Sequence, residues 1–227
     1  MAKLMGQQPL TRSQQDYLKA LYHLQGEGKP VPTGELAQRL GISAPSVSEM
    51  VSRLADEGLV RHDRYRGQQL TPEGRRVALE LVRHHRLLEM FLVQVLGYGW
   101  DEVHDEAERL EHVISERMED RIYEVLGRPE FDPHGHAIPT REGVVARRAG
   151  HPLDRFEVGE KLLVITVADD DPARLRELER RGLRPGALLE VLQTSEFESP
   201  IEVRLEGRRL SVPLGLARGV FVEPADG

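Results

Sequence analysis

Two short segments between positions 33 and 58 constrain the fold of this chain more than any other part of its sequence. The first begins at Thr33, a residue type that commonly caps helices, and ends at Gly41, a type that commonly terminates them. The second begins at Ser43, and its apolar residues recur at helical spacing: Val47, Met50, Val51 and Leu54. Two short helices joined by so tight a turn predict a helix-turn-helix, whose second helix enters the major groove of DNA.

The flanking segments extend this unit. Residues 11–25 have the apolar spacing of an amphipathic helix, for which Ser13 is the expected N-cap. Residues 59–70 alternate in the manner of a β-hairpin with arginines near its tip, and Pro72 begins another helix. This order is typical of a winged helix-turn-helix, in which the basic hairpin contacts phosphates.

The outer face of the second helix carries small polar side chains, which can donate to or accept from base edges. We expect its groove-facing residues to be Ser43, Pro45, Ser46, Ser48, Glu49 and Arg53. Arg64 and Arg66 at the hairpin tip are expected to contact the backbone of double-stranded DNA.

The charge distribution fits one polyanion-facing region on an acidic protein. The 227-residue chain has a net charge of −7, yet residues 1–76 contain 11 Lys and Arg against 8 Asp and Glu, a surplus of +3. No stretch approaches the roughly 18 apolar residues of a membrane span, and the first residues lack the apolar core of a signal peptide. The absence of cysteine excludes disulfides and thiolate ligands, and a cytoplasmic location without membrane contact is expected.

Four potential metal ligands fall on one helical arc roughly 100° wide: His104, Glu108, Glu111 and His112. Apolar spacing predicts that this helix, which begins at about residue 103, continues through Leu126. His85 and Glu89 repeat the i,i+4 spacing on a preceding helix. All six offer oxygen or imidazole nitrogen, which suits a divalent metal ion. The alternative is a solvated charged helix face, which is the more common role of such charge runs.

Residues 72–97 predict a long helix whose second half is apolar on more than one side. Apolar surface beyond one core stripe favours a protein partner, and a symmetric homodimer through residues 86–97 and 113–126 is the simplest partner.

From about residue 153 onward, short β-type runs separated by turn signals predict a small all-β domain, most simply a closed barrel. The acidic run 169–171 ordinarily caps the short helix that follows it, and a metal role is the alternative. His134 and His136 lie in a stretch rich in Pro and Gly, where histidines are more often structural than metal-binding.

The fold is therefore expected to be mainly α, with a small β-barrel at the end. The expected divisions are a winged helix-turn-helix at 1–76, a helical metal-binding and dimerisation domain at 77–140, a linker at 141–152 and the β domain at 153–227.

Six motifs occur in combination along the chain: DYLKALY (16–22), ISAPSVSEMV (42–51), LTPEGR (70–75), RHHRLLE (83–89), VHDEAERLEH (103–112) and DPHGHAIP (132–139). Together they resemble the diphtheria-toxin-repressor family of metal-dependent transcription regulators, and more closely its manganese-transport-regulator branch. The resemblance covers nearly the whole chain and implies a Src-homology-3-like last quarter. It implies a homodimeric repressor of metal-uptake genes that binds a palindromic operator with Mn²⁺ or Fe²⁺ as effector.

By position, the resemblance implies a primary metal site of Asp16, Glu108, Glu111 and His112, and an ancillary site of His85, Glu89 and His104 completed by Asp171. The iron-type members of the family have Met in place of Asp16 and Cys in place of Glu108, so both softer ligands are oxygen here. The manganese branch often has Glu where this chain has Lys19, which favours two separated sites over a binuclear site that shares that Glu.

Two other functions fit parts of the pattern. A dimetal oxidase on a helical bundle needs Glu-x-x-His on two helices, and a zinc hydrolase needs His-Glu-x-x-His; neither motif occurs here. A winged-helix regulator that senses an organic ligand would leave the acidic residues as a solvated face. Metal dependence of DNA binding separates that function from the metal-dependent regulator.

Overall fold

A computed structural model of the chain describes residues 10–26, 29–63, 65–169, 171–195 and 198–225. Its helices are α1 (Arg12–Gln25), α2 (Thr33–Leu40), α3 (Ala44–Asp56), α4 (Pro72–Gln94), α5 (Val103–Leu110), α6 (Glu116–Val125), α7 (Pro172–Arg181) and α8 (Leu214–Ala217). Its strands are β1 (Val60–Asp63), β2 (Gly67–Leu70), β3 (His151–Pro152), β4 (Lys161–Val167), β5 (Leu188–Gln193), β6 (Ile201–Leu205), β7 (Arg208–Val212) and β8 (Val220–Pro224). Helical residues outnumber strand residues in this part of the chain, as the sequence predicts.

The helix-turn-helix forms where the sequence predicts it. Gly41 ends α2 in the left-handed conformation at φ +67°, and the Ser43 hydroxyl caps α3 by accepting a hydrogen bond from the Ser46 N–H. Two predicted caps are wrong. Thr11 rather than Ser13 caps α1, and Thr33 is the first residue of α2 rather than its cap.

One apolar core joins the first three helices to the hairpin of β1 and β2. Its fully buried members include Leu18, Leu21, Leu36, Val47, Leu54 and Leu59. Because α1 and α3 share this core, a displacement of α1 changes the packing of α3. The hairpin is antiparallel with Val60 opposite Leu70, so the predicted β-hairpin is confirmed.

The helix predicted through residues 103–126 is two helices. The helix α5 ends at Leu110, whose carbonyl accepts hydrogen bonds from the N–H groups of Val113 and Ile114. Ser115 caps the next helix, because its hydroxyl accepts a hydrogen bond from the Met118 N–H. Serine is a residue type that commonly begins helices, but apolar residues at helical spacing on both sides of Ser115 hid this break in the sequence.

Much of the apolar surface of α4 beyond one core stripe is buried within the chain, since Leu87, Leu88 and Leu92 are buried.

Two compact units are each assembled from separated segments of the chain. The first comprises described residues up to 85 with 108–122 and 139–145, and the second comprises 86–107, 123–138 and the described residues from 146 onward. The divisions expected from sequence were contiguous, whereas α4, α5 and α6 each contribute to both units.

The second unit contains a six-stranded antiparallel sheet in the order β3-β8-β4-β5-β6-β7. No pairing of described residues joins β7 to β3, so the sheet is open rather than the closed barrel predicted. The edge strand β3 has only two residues, and Pro152 has no N–H to donate to a further strand. The core beneath the sheet includes Leu153, Leu162, Val164, Leu175, Leu178 and Val203.

No helix in the described ranges combines the length and the apolar character that crossing a membrane requires.

Gly74, in the first turn of α4, lies where a side chain has no room. A Cβ there would lie 1.9 Å from the Leu59 carbonyl oxygen, whereas a Cβ at Gly34 in α2 would meet no atom within 4 Å. We expect Gly74→Ala to lower the free energy of unfolding by about 1–3 kcal/mol, because backbone must shift to accept the methyl group. The matched control Gly34→Ala should be neutral or stabilising by up to about 1 kcal/mol. Urea unfolding of both variants measures the difference, and equal values would contradict the packing described here.

Candidate metal centre and nucleic-acid face

The predicted primary ligands meet in the first unit. Asp16 lies on α1, Glu108 lies in the last turn of α5, and Glu111 and His112 lie in the turn that follows α5. One ligand atom from each of the four lies within 4.8 Å of the others. The single helical arc predicted for His104, Glu108, Glu111 and His112 is therefore wrong beyond Leu110, but the turn still brings Glu111 and His112 close to Glu108 and Asp16.

His112 gives the clearest indication of a metal ion. Its Nδ1 lies 2.6 Å from Gln15 Oε1, and because an amide oxygen only accepts, Nδ1 carries the hydrogen. In the neutral form of the ring, the lone pair is then on Nε2, which is buried and makes no hydrogen bond to a described residue. That nitrogen lies 3.0 Å from Asp16 Oδ1 and 3.6 Å from Glu111 Oε1. Lone pairs that converge in this way suit a divalent cation, and Gln15 fixes the tautomer that a metal ligand needs.

Gln15 was not among the residues predicted for this centre, although it directly precedes Asp16 in the sequence. Asp16 is the most accessible of the four ligands, with 35% of its side chain exposed, and it lines a groove of about 410 Å³. The Asp16 carboxylate is therefore accessible from solvent.

Lys19 and His85 also reach this cluster. The Lys19 Nζ lies 2.6 Å from Glu108 Oε1 and 2.7 Å from Glu111 Oε2. The His85 Nδ1 lies 2.5 Å from Glu111 Oε2. The Glu111 side chain is fully buried, so these donors stabilise a charge that water does not reach.

A second layer holds the turn in place. Both ring nitrogens of His84 face oxygen, with Nδ1 3.2 Å from the Glu111 carbonyl and Nε2 3.1 Å from Glu119 Oε2. Arg83 donates to Glu119 and to the Pro139 carbonyl. Burial alone would raise the pKa of Glu119, but the hydrogen bonds from His84 and Arg83 outweigh burial and lower it.

The residues of the predicted ancillary site are divided between the two units, with His85 in the first and Glu89 and His104 in the second. Within the second unit, Glu89 is buried and its Oε1 lies 3.5 Å from His104 Nδ1. Its Oε2 lies 3.9 Å from Nδ1 of His134, a residue that the sequence had favoured as structural.

A loop places Asp132, His134 and His136 together, with ligand atoms within 4.8 Å of one another. Asp132 Oδ1 accepts from the N–H groups of both histidines, and Gly135 turns at φ +91° with no room for a Cβ beside the Ile165 carbonyl. His134 is fully buried, and neither of its ring nitrogens has a hydrogen-bond partner among the described residues. This second cluster of Asp132, His134 and His136 therefore also contains ring nitrogens that could act as ligands to a cation.

Asp169, rather than the predicted Asp171, lies beside this loop. Asp169 Oδ2 is 3.5 Å from His136 Nδ1, and Asp132 Oδ2 is 3.4 Å from the same atom. Burial on its own would lower the pKa of His136, but the two carboxylates outweigh burial and raise it. Asp171 instead caps α7, where its Oδ1 accepts from the N–H groups of Ala173 and Arg174.

The residues of α3 and its cap that were predicted to face nucleic acid are exposed. The exposed residues of α3 and its cap include Ser43, Pro45, Ser46, Ser48, Glu49 and Arg53. Glu49 and Arg53 form an ion pair with each other, so neither charge acts alone toward DNA. Arg66 is exposed at the hairpin tip, whereas the predicted contact Arg64 lies outside the described residues.

Three family models match consecutive parts of the chain. They describe the iron dependent repressor N-terminal DNA binding domain (residues 9–68), the iron dependent repressor metal binding and dimerisation domain (71–140) and the FeoA domain (151–224).

Relatives match over nearly the full length. The iron-dependent repressor IdeR of Mycobacterium leprae is 35% identical over 219 residues, which cover 91% of this chain and 95% of that protein. The diphtheria toxin repressor of Corynebacterium efficiens is 32% identical over 221 residues, covering 93% and 95%. Among solved structures, a manganese-dependent transcriptional repressor in complex with manganese is 41% identical, with a TM-score of 0.83 and coverage of 93% and 100%. ScaR with bound Zn²⁺ is 33% identical, with a TM-score of 0.74 and coverage of 93% and 99%.

Glu119 makes the stability of this unit depend on pH. Because its pKa in the folded protein lies below the ordinary value of 4.5, ionised Glu119 stabilises the fold above that pH, and the contribution is lost as pH falls through the lowered pKa. We expect Glu119→Gln to cost about 3–5 kcal/mol near neutral pH, since Arg83 is left buried without its partner. The wild type should lose more stability than this variant between about pH 5 and pH 3.

Glu124→Gln is the matched control, because Glu124 pairs with Arg128 at the surface. It should cost less than about 1 kcal/mol. Denaturant unfolding across this pH range makes the comparison, and parallel pH curves for wild type and Glu119→Gln would contradict the assigned role.

Proposed function

Because the chain belongs to the diphtheria-toxin-repressor family of metal-dependent, DNA-binding transcriptional repressors, we propose that it represses metal-uptake genes as a homodimer on a palindromic operator when Mn²⁺ or Fe²⁺ is bound. The observation that carries this proposal is the buried lone pair of His112 Nε2 facing the oxygens of Asp16 and Glu111. A transcription regulator of this kind acts in the cytoplasm, where its operator lies.

The ligand chemistry supports Mn²⁺ or Fe²⁺ as the effector. Asp16, Glu108, Glu111 and His112 offer three carboxylates and one imidazole, with no sulfur, and hard oxygen ligands suit these ions. The relatives named for iron and the solved structure named for manganese are both consistent with this choice. Intrinsic affinity alone would favour Cu²⁺ or Zn²⁺, so selectivity depends on geometry and on metal availability.

Asp16 connects this centre to the DNA-reading helix. Its neighbour Tyr17 donates a hydrogen bond to the Ser46 carbonyl in the first turn of α3, at 3.4 Å. Burial, followed by the charge of Glu49, raises the pKa of Tyr17, which keeps its hydroxyl protonated as a donor. Asp16, Glu108, Glu111 and His112 would hold a divalent ion, whose positive charge would keep α1 against the turn after α5. The position of α1 fixed in this way is transmitted to α3 through the shared core and through Tyr17.

The same linkage predicts reciprocal coupling. If metal binding that includes Asp16 favours the DNA-binding arrangement of α3, DNA binding must favour metal binding by an equal free energy, typically about 1–3 kcal/mol.

We assign the second cluster as an additional metal site of the second unit. Its ligands would be Asp132, His134 and His136, with Glu89 beside His134 and Asp169 beside His136. The unpaired ring nitrogens of buried His134 support this assignment, because a buried imidazole without a partner is otherwise unfavourable. Asp171 caps a helix and takes no part in it.

The proposed homodimer uses apolar residues that the chain leaves exposed. Val95 and Leu96 just after α4 are 48% and 55% exposed, and Val113 and Met118 are 67% and 46% exposed. These residues fall in the segments that the sequence assigned to dimerisation, and a two-fold partner matches the symmetry of a palindrome.

The competing functions are less well supported. The relatives are repressors rather than enzymes, which sets aside the dimetal oxidase. A regulator that senses an organic ligand would leave the acidic residues in solvent, whereas Glu111 is fully buried here.

Replacing Arg64 and Arg66 with Ala should weaken binding to all DNA sequences alike and reduce the salt dependence, because phosphate contacts carry no sequence information. Arg208→Ala, an exposed arginine of β7, is the control and should have no effect. Fluorescence anisotropy at several salt concentrations measures both properties. A loss confined to the specific operator would show that the hairpin reads bases instead.

Glu108→Ala removes one proposed ligand and one negative charge. We expect it to raise the Mn²⁺ concentration needed for half-maximal operator binding by about tenfold or more, because the site loses a ligand. Glu108→Cys should shift the preference toward Zn²⁺ or Fe²⁺, since thiolate is the softer ligand. Operator binding by fluorescence anisotropy, with each metal titrated in turn, is the measurement.

Asp105→Ala is the matched control, since Asp105 is an exposed carboxylate on the same helix. It should keep the wild-type midpoint. If all four proteins share one Mn²⁺ midpoint, the metal-dependent mechanism is wrong, even if each binds DNA.

A further inference from the structure

Lys19 lies one helical turn after Asp16, and only 10% of its side chain is exposed. Its Nζ lies 2.6 Å from Glu108 Oε1 and 2.8 and 2.7 Å from Glu111 Oε1 and Oε2. A buried lysine is rare unless its charge is compensated, and here two proposed metal ligands compensate it. The Lys19 ammonium is therefore part of the candidate metal centre.

The ammonium lies on one side of the shared carboxylates. Its Nζ is 3.2 Å from His85 Nδ1, whereas Asp16 pairs with His112 Nε2. Glu108 and Glu111 therefore connect two cationic positions. Lys19 occupies one of them beside His85, and Asp16 and His112 line the other.

The charges of the centre balance for one divalent ion. With both histidines counted as neutral imidazoles, three carboxylates and one ammonium leave a charge of −2, which a single divalent cation cancels. Without the ammonium, one divalent ion would leave an uncompensated negative charge beside a fully buried Glu111, and burying an unpaired charge is costly.

We propose that Lys19 is a tethered cation that stays in the centre, limits it to one divalent ion, and holds Glu108 and Glu111 together before that ion binds. This inference rests on the proposed metal binding at Asp16, Glu108, Glu111 and His112. It adds that the metal-free protein is already partly neutralised, so the ion joins a preformed pair of carboxylates and does not displace the lysine.

Lys19→Glu tests the capacity of the centre. The substitution replaces the ammonium with a carboxylate beside His85 and takes the charge from −2 to −4, so two divalent ions are then needed for balance. We expect this variant to retain roughly one Mn²⁺ more per chain than the wild type, counted by equilibrium dialysis and elemental analysis without DNA. Ions at the second cluster contribute equally to both proteins and cancel in the difference.

Lys29→Glu is the matched control, because Lys29 is an exposed lysine and the charge change is the same. Its Mn²⁺ count should equal that of the wild type. Equal counts for wild type and Lys19→Glu would overturn the proposal, because they would mean that Lys19 occupies the metal position itself and is displaced on binding.

Lys19→Met tests the same proposal through stability, in case the glutamate variant does not fold. Methionine fills similar space without charge, so the metal-free variant should unfold at a lower temperature than the metal-free wild type, as three carboxylates then repel one another. Its thermal shift on Mn²⁺ addition should exceed that of the wild type. A metal-free Tm and a Mn²⁺ shift both equal to wild type would also overturn the proposal.

The proposed function fails in a different way. Wild-type protein that retains no Mn²⁺ at this centre, shown by equal counts for wild type and Glu108→Ala, would remove the metal site itself. A wild type that binds Mn²⁺ through Glu108, with no change of count in Lys19→Glu, removes only the role of Lys19.

Discussion

The burial of like charges beside one another is the constraint on which the first unit depends. Glu111 is fully buried, and its carboxylate lies among the side chains of Lys19, His85 and His112. Carboxylates in so little solvent repel one another strongly unless positive charge or hydrogen-bond donors compensate them. The packing of the helix α1 against the turn after α5 therefore depends on these partners, because without them the buried carboxylates would repel one another.

The same packing connects the candidate metal centre to the helix-turn-helix. Asp16 is a proposed ligand, the adjacent Tyr17 donates a hydrogen bond to the start of α3, and Leu18 enters the shared core. Three successive residues of α1 thus face the metal centre, the recognition helix and the apolar interior. On the opposite side of the turn, His84 holds the Glu111 carbonyl and is itself held by Glu119. The centre is therefore supported by elements that have few alternative positions.

Local sequence patterns predicted much of the fold and part of the site. Caps and apolar spacing located the helix-turn-helix, because helix ends are determined by a few neighbouring residues. The same reasoning failed at residues 111–115, where apolar spacing continued across the break between α5 and α6. It also predicted a closed barrel, whereas the two-residue strand β3 leaves the sheet open at one edge. Strand pairing depends on which distant segments meet, and local patterns do not determine that. Gln15, Asp132, His134 and Asp169 were missed or given other roles for the same reason.

The sequence by itself determined the chemical type of this protein. The types of donor, the absence of cysteine, the basic hairpin and the motifs of a metal-dependent repressor are all properties of residues and their neighbours in the chain. Only the tertiary structure decided which donors converge: Lys19 with Glu108 and Glu111, Gln15 with His112, and Asp169 rather than Asp171 beside His136. Spacing along a helix gives the direction of a side chain, but a metal centre requires agreement within a few ångströms between segments about 90 residues apart, and packing alone supplies that agreement.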